Sequence, residues 1–197
     1  MRFQWPANTA FTQRVLTVEE ETCVHCQRAL HVCDHRFHRI YTLPGPLEIV
    51  CKLARCPERG CPGHHHTLSP LAEAQLTLPW WVIGWDVFCW LGYRRFARHW
   101  SVPQLQAELR DSYRIPLSAD ALSGYLRRYQ TMVAARHQDA AVLAEAYRGV
   151  PSLILTIDGL QPEKGHETLY VVRELRGKRV WFAEAGTDRK KRASSDR

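Results

Sequence analysis

Two cysteine pairs constrain this chain more than any other feature. Cys23 and Cys26 stand in a C-x2-C spacing, Cys56 and Cys61 in a C-x4-C spacing, and 29 residues separate the pairs. Each pair is flanked by residues that make tight turns, so each can present two thiolates to one ion. Four sulfurs from two such knuckles close a tetrahedral zinc site, and a closed site leaves no position for water, so a zinc ion here is expected to be structural. It would supply folding free energy to a segment with few core residues. The alternating stretches "RIYTL" and "LEIVCKL" around "PGP" predict a β-hairpin between the knuckles, the layout of a zinc ribbon. Other candidates sit close by: His25, Cys33, His35, His38, Cys51 and the run His64 to His66. Cys51 lies within an alternating strand, where a buried, inert thiol is expected. The plain alternative for Cys56 and Cys61 is a pair of free thiols.

Seven cysteines is an odd number, and most of them lie between residues 23 and 61. The first residues, "MRFQWPANTAFTQRV", lack the apolar centre of a signal peptide, so ligation is favoured over a disulfide framework. No stretch approaches eighteen uncharged apolar residues, and the expectation is a cytoplasmic protein without a membrane partner. With 197 residues and 45% hydrophobic content the chain can hold one ordinary domain or two to three small ones. A formal charge of +7 attracts polyanions. The surplus is local: residues 79–150 carry 9 basic and 6 acidic side chains and residues 186–197 carry 5 and 2, while the rest is nearly balanced.

Changes of pattern divide the chain at 78, 149 and 185. Residues 1–78 form the zinc-ribbon-like part, and residues 79–149 read as helices. In "WWVIGWDVFCWLGYRRFARH" apolar residues fall nearly all round a helix until its basic end, so most of it should be buried. Ser101 and Gln104 fit a capping box, with Val102, Leu105, Leu109 and Tyr113 on one face of the helix that follows. "RIPLS" breaks that helix, and Ser118 can cap the next, where Leu122, Tyr125, Leu126, Tyr129, Met132 and Val133 line one side. A helix, a short break and a second helix with exposed arginines have the proportions of a helix-turn-helix. On that reading Ser118, Asp120, Ser123 and Arg127 face the major groove of double-stranded DNA, and Arg94, Arg95, Arg98 and Arg128 contact phosphate. A plain helical bundle with a solvated basic face fits the same pattern.

In residues 150–185, "SLILTI" is a continuous apolar run, as expected of a strand covered on both faces, and "TLYVVREL" and "RVWFAE" predict two more strands joined through "PEKG" and "RGK". The stretch from 186 to 197, "GTDRKKRASSDR", has no apolar periodicity and is expected to be disordered. The fold class expected is therefore multi-domain α+β. Asp158 closes the first strand and precedes Gly159, a pair that suits a turn as well as it suits a carboxylate held at a strand end.

The order of cysteine knuckles, helix pair and Asp-bearing strand, together with "LTIDGLQPEKGHETLYVVREL" and "GKRVWFAE", resembles the amino-terminal portion of bacterial insertion-sequence transposases of the DDE, RNase H-like (retroviral integrase) superfamily over about residues 20–185. The resemblance implies a partial, three-stranded RNase H-like sheet at 150–185 and places Asp158 as the first acidic residue of a metal-binding triad. In such enzymes two divalent ions, usually Mg2+, activate a nucleophile for DNA strand transfer. The family pattern also needs an Asp on a later strand and a Glu on a later helix. Asp188 and Asp196 fall in the tail and Glu184 has no family counterpart, so the expectation is a truncated or frameshifted reading frame that binds transposon ends without chemistry. Homo-oligomers, or mixed oligomers with a full-length transposase, are the protein partners this implies. The alternatives are a stand-alone zinc-containing DNA-binding regulator, whose β segment serves dimerisation or a partner, and a zinc-stabilised protein-interaction module.

Overall fold

The computed structural model describes residues 3–160, 168–177 and 179–186. It is a mixed α+β chain in two compact units, Met1–Gln130 and Thr131–Arg197. The changes of sequence pattern at 78 and 149 therefore lie inside these units and not between them.

In the first unit three strands form a sheet of order β1-β3-β2, made of β1 (Thr12–Thr17), β2 (His31–Thr42) and β3 (Gly45–Arg55). The hairpin forms as the sequence suggests, with β2 and β3 antiparallel and Thr42 opposite Gly45. Gly45 has a φ of 147°, a conformation that favours glycine, and its carbonyl accepts from Thr42 Oγ1 at 2.6 Å. Strand β1, parallel to β3, has no clear sequence signature, because only Leu16 among its residues is buried. Flanked on both sides, β3 buries Ile49, Val50 and Cys51 in succession, so it is covered on both faces.

The helix predicted from Trp80 begins only at Trp85. Residues 82–84 are held in an extended run beside β2, where Tyr41 N–H donates to the Val82 carbonyl and Gly84 N–H to the Tyr41 carbonyl, each at 2.8 Å. Backbone pairing to a sheet edge wins here over an apolar helical pattern. Helix α1 (Trp85–Gly92) then continues into a π-helical turn, Tyr93–Ala97. Helix α2 (Val102–Asp111) starts at the capping box read from the sequence: Ser101 Oγ accepts from Gln104 N–H at 3.4 Å, and Gln104 Oε1 accepts from Ser101 N–H at 2.8 Å. In the turn after α2, Arg114 adopts a φ of 55° and Ile115 and Leu117 plug into the core.

Helix α3 (Ala119–Gln138) is entered through Ser118, whose Oγ accepts from Ala121 N–H at 3.2 Å. Leu122, Tyr125 and Leu126 are buried as expected, but the apolar stripe does not stay buried to its end. Met132 and Val133 are 39% and 37% exposed, because α3 runs past Gln130, where the first compact unit ends. Tyr41 joins Ile83, Val87, Leu91, Leu105, Leu109 and Leu122 in one cluster, so hairpin and helices share a core.

In the second unit, α4 (Ala140–Ala146) is capped by Asp139, whose carboxylate accepts from Ala141 and Val142 N–H at 2.8 and 3.2 Å. Strands β4 (Leu155–Leu160), β5 (Thr168–Glu174) and β6 (Arg179–Gly186) form an antiparallel sheet in that order. The described part of the β5–β6 turn includes Arg176 and Gly177 of the expected "RGK" and is closed by buried Glu174, whose carboxylate accepts from Arg176 N–H at 2.8 Å and from Gly177 N–H. The expected "PEKG" turn and the tail at 187–197 lie outside the described residues. The expectation of a doubly covered first strand is not met among the described residues: Leu155 and Ile157 are 46% and 74% exposed, and β4 has one described neighbour, β5. No helix among the described residues is long and apolar enough to cross a membrane.

Candidate metal centre and nucleic-acid interface

The hairpin brings the two knuckles together because one precedes β2 and the other follows β3, and the far ends of these strands are paired at His31 and Arg55. The first knuckle is a tight loop: Gln27 N–H donates to the Cys23 carbonyl at 2.9 Å, with Gln27 at a φ of 59°, and Cys23 N–H donates to the Arg28 carbonyl at 2.8 Å. The second is turned by a 3-10 helix, Pro62–His65, whose His64 N–H donates to the Cys61 carbonyl at 2.9 Å.

The result is one cluster of four sulfurs, all within 4.8 Å of one another. Cys23 Sγ and Cys61 Sγ are 3.7 Å apart, and Cys26 Sγ and Cys56 Sγ 3.5 Å. A tetrahedron with metal–sulfur bonds of about 2.3 Å has edges of about 3.8 Å, so the arrangement fits a metal such as zinc with little adjustment. Cys23, Cys56 and Cys61 are buried and Cys26 is half-buried.

The local electrostatics already prepare one thiolate. Backbone N–H groups of His25 and Cys26 aimed at the Cys23 sulfur bring its pKa down to about 7. Burial pushes Cys56 up to about 12 and raises Cys61 as well, since several thiolates cannot ionise side by side without a cation. A bound metal removes that conflict by neutralising the set.

Gly63 escaped the sequence reading as part of this centre, and His64, read there as a candidate ligand, takes a supporting place instead. A Cβ at Gly63 would stand 2.7 Å from Cys23 Sγ, so the backbone needs glycine to pass this close to the sulfurs. The signal available was the "CPG" after the second pair. His64 Nδ1 donates to the Cys56 carbonyl at 2.8 Å, which fixes its ring as a support. Cys33, His38 and Cys51 are occupied elsewhere. Cys33 Sγ donates to the Leu53 carbonyl at 3.5 Å, and His38 lies between Glu73 Oε1 at 3.1 Å and the Trp81 carbonyl at 2.7 Å. Cys51 is buried in β3, and burial raises its thiol pKa, as expected of an inert core residue.

In the helical part, Ser118, Asp120, Ser123, Arg127 and Arg128 are all exposed on the first three turns of α3. Arg128 lies over the rings of Trp81 and Tyr125, 5.9 and 5.8 Å from their centroids. Arg94 and Arg95 are turned inward. The Arg94 guanidinium packs against Trp90 and Trp100 at 5.5 and 4.7 Å, and Arg95 donates to the Trp100 carbonyl at 2.8 Å. Arg94 is held by ring contacts and Arg95 by an internal hydrogen bond, and a phosphate contact would have to compete with these. Arg98 is exposed and donates to Tyr93 Oη at 3.0 Å.

Asp158 is not in a turn. It stands within β4 opposite Val171 of β5, and its side chain is exposed. Glu184 is in register with Tyr170 and Gly159, one row away. Among the described residues, the four cysteines are the one group of three or more ligating side chains that comes together to hold an ion, and Asp158 is not among them. Asp188 and Asp196 lie outside the described residues. No protein-family model matches the chain and no curated protein matches it.

Proposed function

We propose that this chain is a DNA-binding protein of the transposase type, in which a zinc ion on Cys23, Cys26, Cys56 and Cys61 stiffens a ribbon that supports a helix-turn-helix. The observation that carries the reading is the capped start of α3. Its exposed Ser118, Ser123 and Arg127 follow a turn locked by Ile115 and Leu117, so a rigid core presents to solvent a polar helix start, with Asp120 in the first turn and Arg127 and Arg128 in the third. The net charge of +7 supplies the sequence-independent attraction to phosphate. Zinc supplies fold stability when bound, and the residues that reach DNA are the chain's own. In this reading the target is a transposon end, and β4–β6 is the beginning of an RNase H-like sheet with Asp158 on its first strand.

The test is a fluorescence anisotropy titration against duplexes flanking the coding region, with salt varied from 50 to 200 mM. A chain that contacts several phosphates loses affinity steeply over that range, on the order of tenfold for each two to three contacts. Arg127→Ala is expected to weaken the specific duplex more than a random one. Binding that is absent at low salt, or indifferent to both salt and sequence, refutes the proposal. Strand cleavage by the purified chain with Mg2+ would overturn the non-catalytic half of it.

A second reading, a stand-alone regulator whose β4–β6 sheet recruits a partner, is favoured by one observation: Leu155 and Ile157 are exposed on a strand with one described neighbour.

A further inference from the structure

Trp80 occupies a place where the local turn chemistry asks for glycine. Trp81 N–H donates to the Leu78 carbonyl at 3.2 Å, closing a β-turn with Pro79 and Trp80 at its centre. Proline followed by a residue of positive φ is the type II pattern, whose second central position favours Gly or Asn. Here a tryptophan holds a φ of 67°, a strained conformation for a bulky residue. Its side chain is 96% exposed, so core packing does not account for it either. The turn is nevertheless held firmly, since His38 Nε2 donates to the Trp81 carbonyl at 2.7 Å and Tyr41 N–H to the Val82 carbonyl at 2.8 Å. A strained, fully exposed indole on a fixed turn is a feature that function explains and folding does not.

Its surroundings narrow the ligand. Trp80 lines a cleft of about 590 Å³ with Phe3, Trp5, Phe37, Arg39 and Trp81, and a second of about 360 Å³ with Phe37, Arg36, His38 and Glu73. Phe37 is itself 63% exposed. Arg36 and Arg39 pair with Glu73 and Glu48, but the two arginine side chains keep 47% and 49% of their surface in water while the carboxylates keep 15% and 16%. Arg36 turns with His38 toward Glu73 on one side of β2, whereas Arg39 lies on the other side with Phe37, and there Glu48 is outside the cleft lining, so the larger cleft combines exposed aromatic rings with a cationic donor. An apolar protein surface laid on this cleft would desolvate Arg39 further without satisfying it. A nucleotide chain meets both demands, because a base stacks on the ring and the phosphodiester accepts from guanidinium.

We propose that the face formed by Trp80, Phe37 and Arg39 binds single-stranded nucleic acid, with an unpaired base stacked on the Trp80 indole. This goes beyond the duplex binding assigned to α3 and uses different residues. The test is anisotropy with labelled oligothymidine and, separately, with a blunt duplex, using the full zinc-loaded chain and its Trp80→Ala, Trp80→Phe and Trp80→Gly variants. The expected result is oligothymidine binding that Trp80→Ala weakens about tenfold and Trp80→Phe largely keeps, with blunt-duplex affinity unchanged. Trp80→Gly is expected to raise the Tm by relieving the strained φ while losing oligothymidine affinity. No effect of Trp80→Ala on oligothymidine, or a Tm lowered by Trp80→Gly, overturns the proposal. Duplex binding without oligothymidine binding overturns it and leaves the α3 reading intact, whereas oligothymidine binding without duplex binding does the reverse. Self-association lost in Trp80→Ala, with oligothymidine affinity unmoved, gives the face to a second copy of the chain and also overturns it.

Discussion

Strands β3 and β4 look alike as sequence and live in opposite surroundings. "LEIVCKL" and "LILTI" are both short runs of branched apolar residues, yet Ile49 is wholly buried in β3 and Ile157 is 74% exposed in β4. The difference is position in the sheet. Strand β3 has a neighbour on each side and packs Ile49 and Cys51 against Ala72 and Leu76, whereas among the described residues β4 pairs with β5 on one side and leaves Leu155 and Ile157 exposed. The first unit accordingly buries thirteen residues in its main cluster and closes a four-sulfur centre, while the one buried side chain described in the second unit is Glu174, which serves a turn. Apolar content becomes stability only where topology supplies something to cover it.

The largest way to break this contrast is to remove the zinc proposed to sit among the four sulfurs. Cys56→Ser, or a strong chelator, should unfold the first unit and spare the second, because the knuckles hold the open end of the β2–β3 hairpin that the helices pack on. Structural zinc contributes folding free energy on the order of 10 kcal/mol, well above the margin of a unit this size. Six of the seven tryptophans, all but Trp181, lie in the first unit, so the near-UV circular dichroism of the protein should collapse. A near-UV spectrum that survives complete chelation would show that the helical core stands without the metal.

A smaller, local test sits where α1 meets α3. A Cβ added at Gly92 would lie 2.1 Å from the Tyr129 ring, which also stacks on Phe96 with centroids 5.7 Å apart. In an open helix Gly→Ala stabilises by up to about 1 kcal/mol, but here overpacking should reverse the sign and cost about 1–3 kcal/mol. Denaturant unfolding of Gly92→Ala, of Tyr129→Ala and of the double variant separates the two terms, with the clash expected to disappear in the double variant. A stabilised Gly92→Ala would mean that the helices do not cross this closely.

How far these features were legible follows from how local they are. The four cysteines, the capping box at Ser101 and Gln104, the cap at Ser118 and the hairpin turn are all specified within a few residues, and each stands where the sequence placed it. Strand β1 and the late start of α1 were not legible, because both depend on hydrogen bonds to distant strands: β1 to β3, and residues 82–84 to Tyr41. Burial of β4 was misjudged for the same reason, since an apolar run records what a strand can bury and not what covers it. At the candidate DNA face, the inward turn of Arg94 follows from Trp90 and Trp100 meeting around it, a contact invisible until the turn between α1 and α2 is built.

The smallest expected effect falls on Asp158, and its smallness is informative. An exposed side chain outside any assembled cluster of described ligands should tolerate Asp158→Asn within about 0.5 kcal/mol. Duplex affinity should not move either, because the contacts assigned to DNA come from α3. The sharper measurement is a thermal shift with Mn2+, which resembles Mg2+ in its preference for carboxylate oxygen. A lone carboxylate in water holds such an ion too weakly to raise the Tm, so wild type and Asp158→Asn should respond alike. A Mn2+-dependent rise that Asp158→Asn abolishes would mean that a partner carboxylate from outside the described residues joins Asp158. In that case β4 would carry half of an ion site as well as an uncovered apolar edge, and the contrast between the two units would become one between a finished metal centre and one that is assembled on binding.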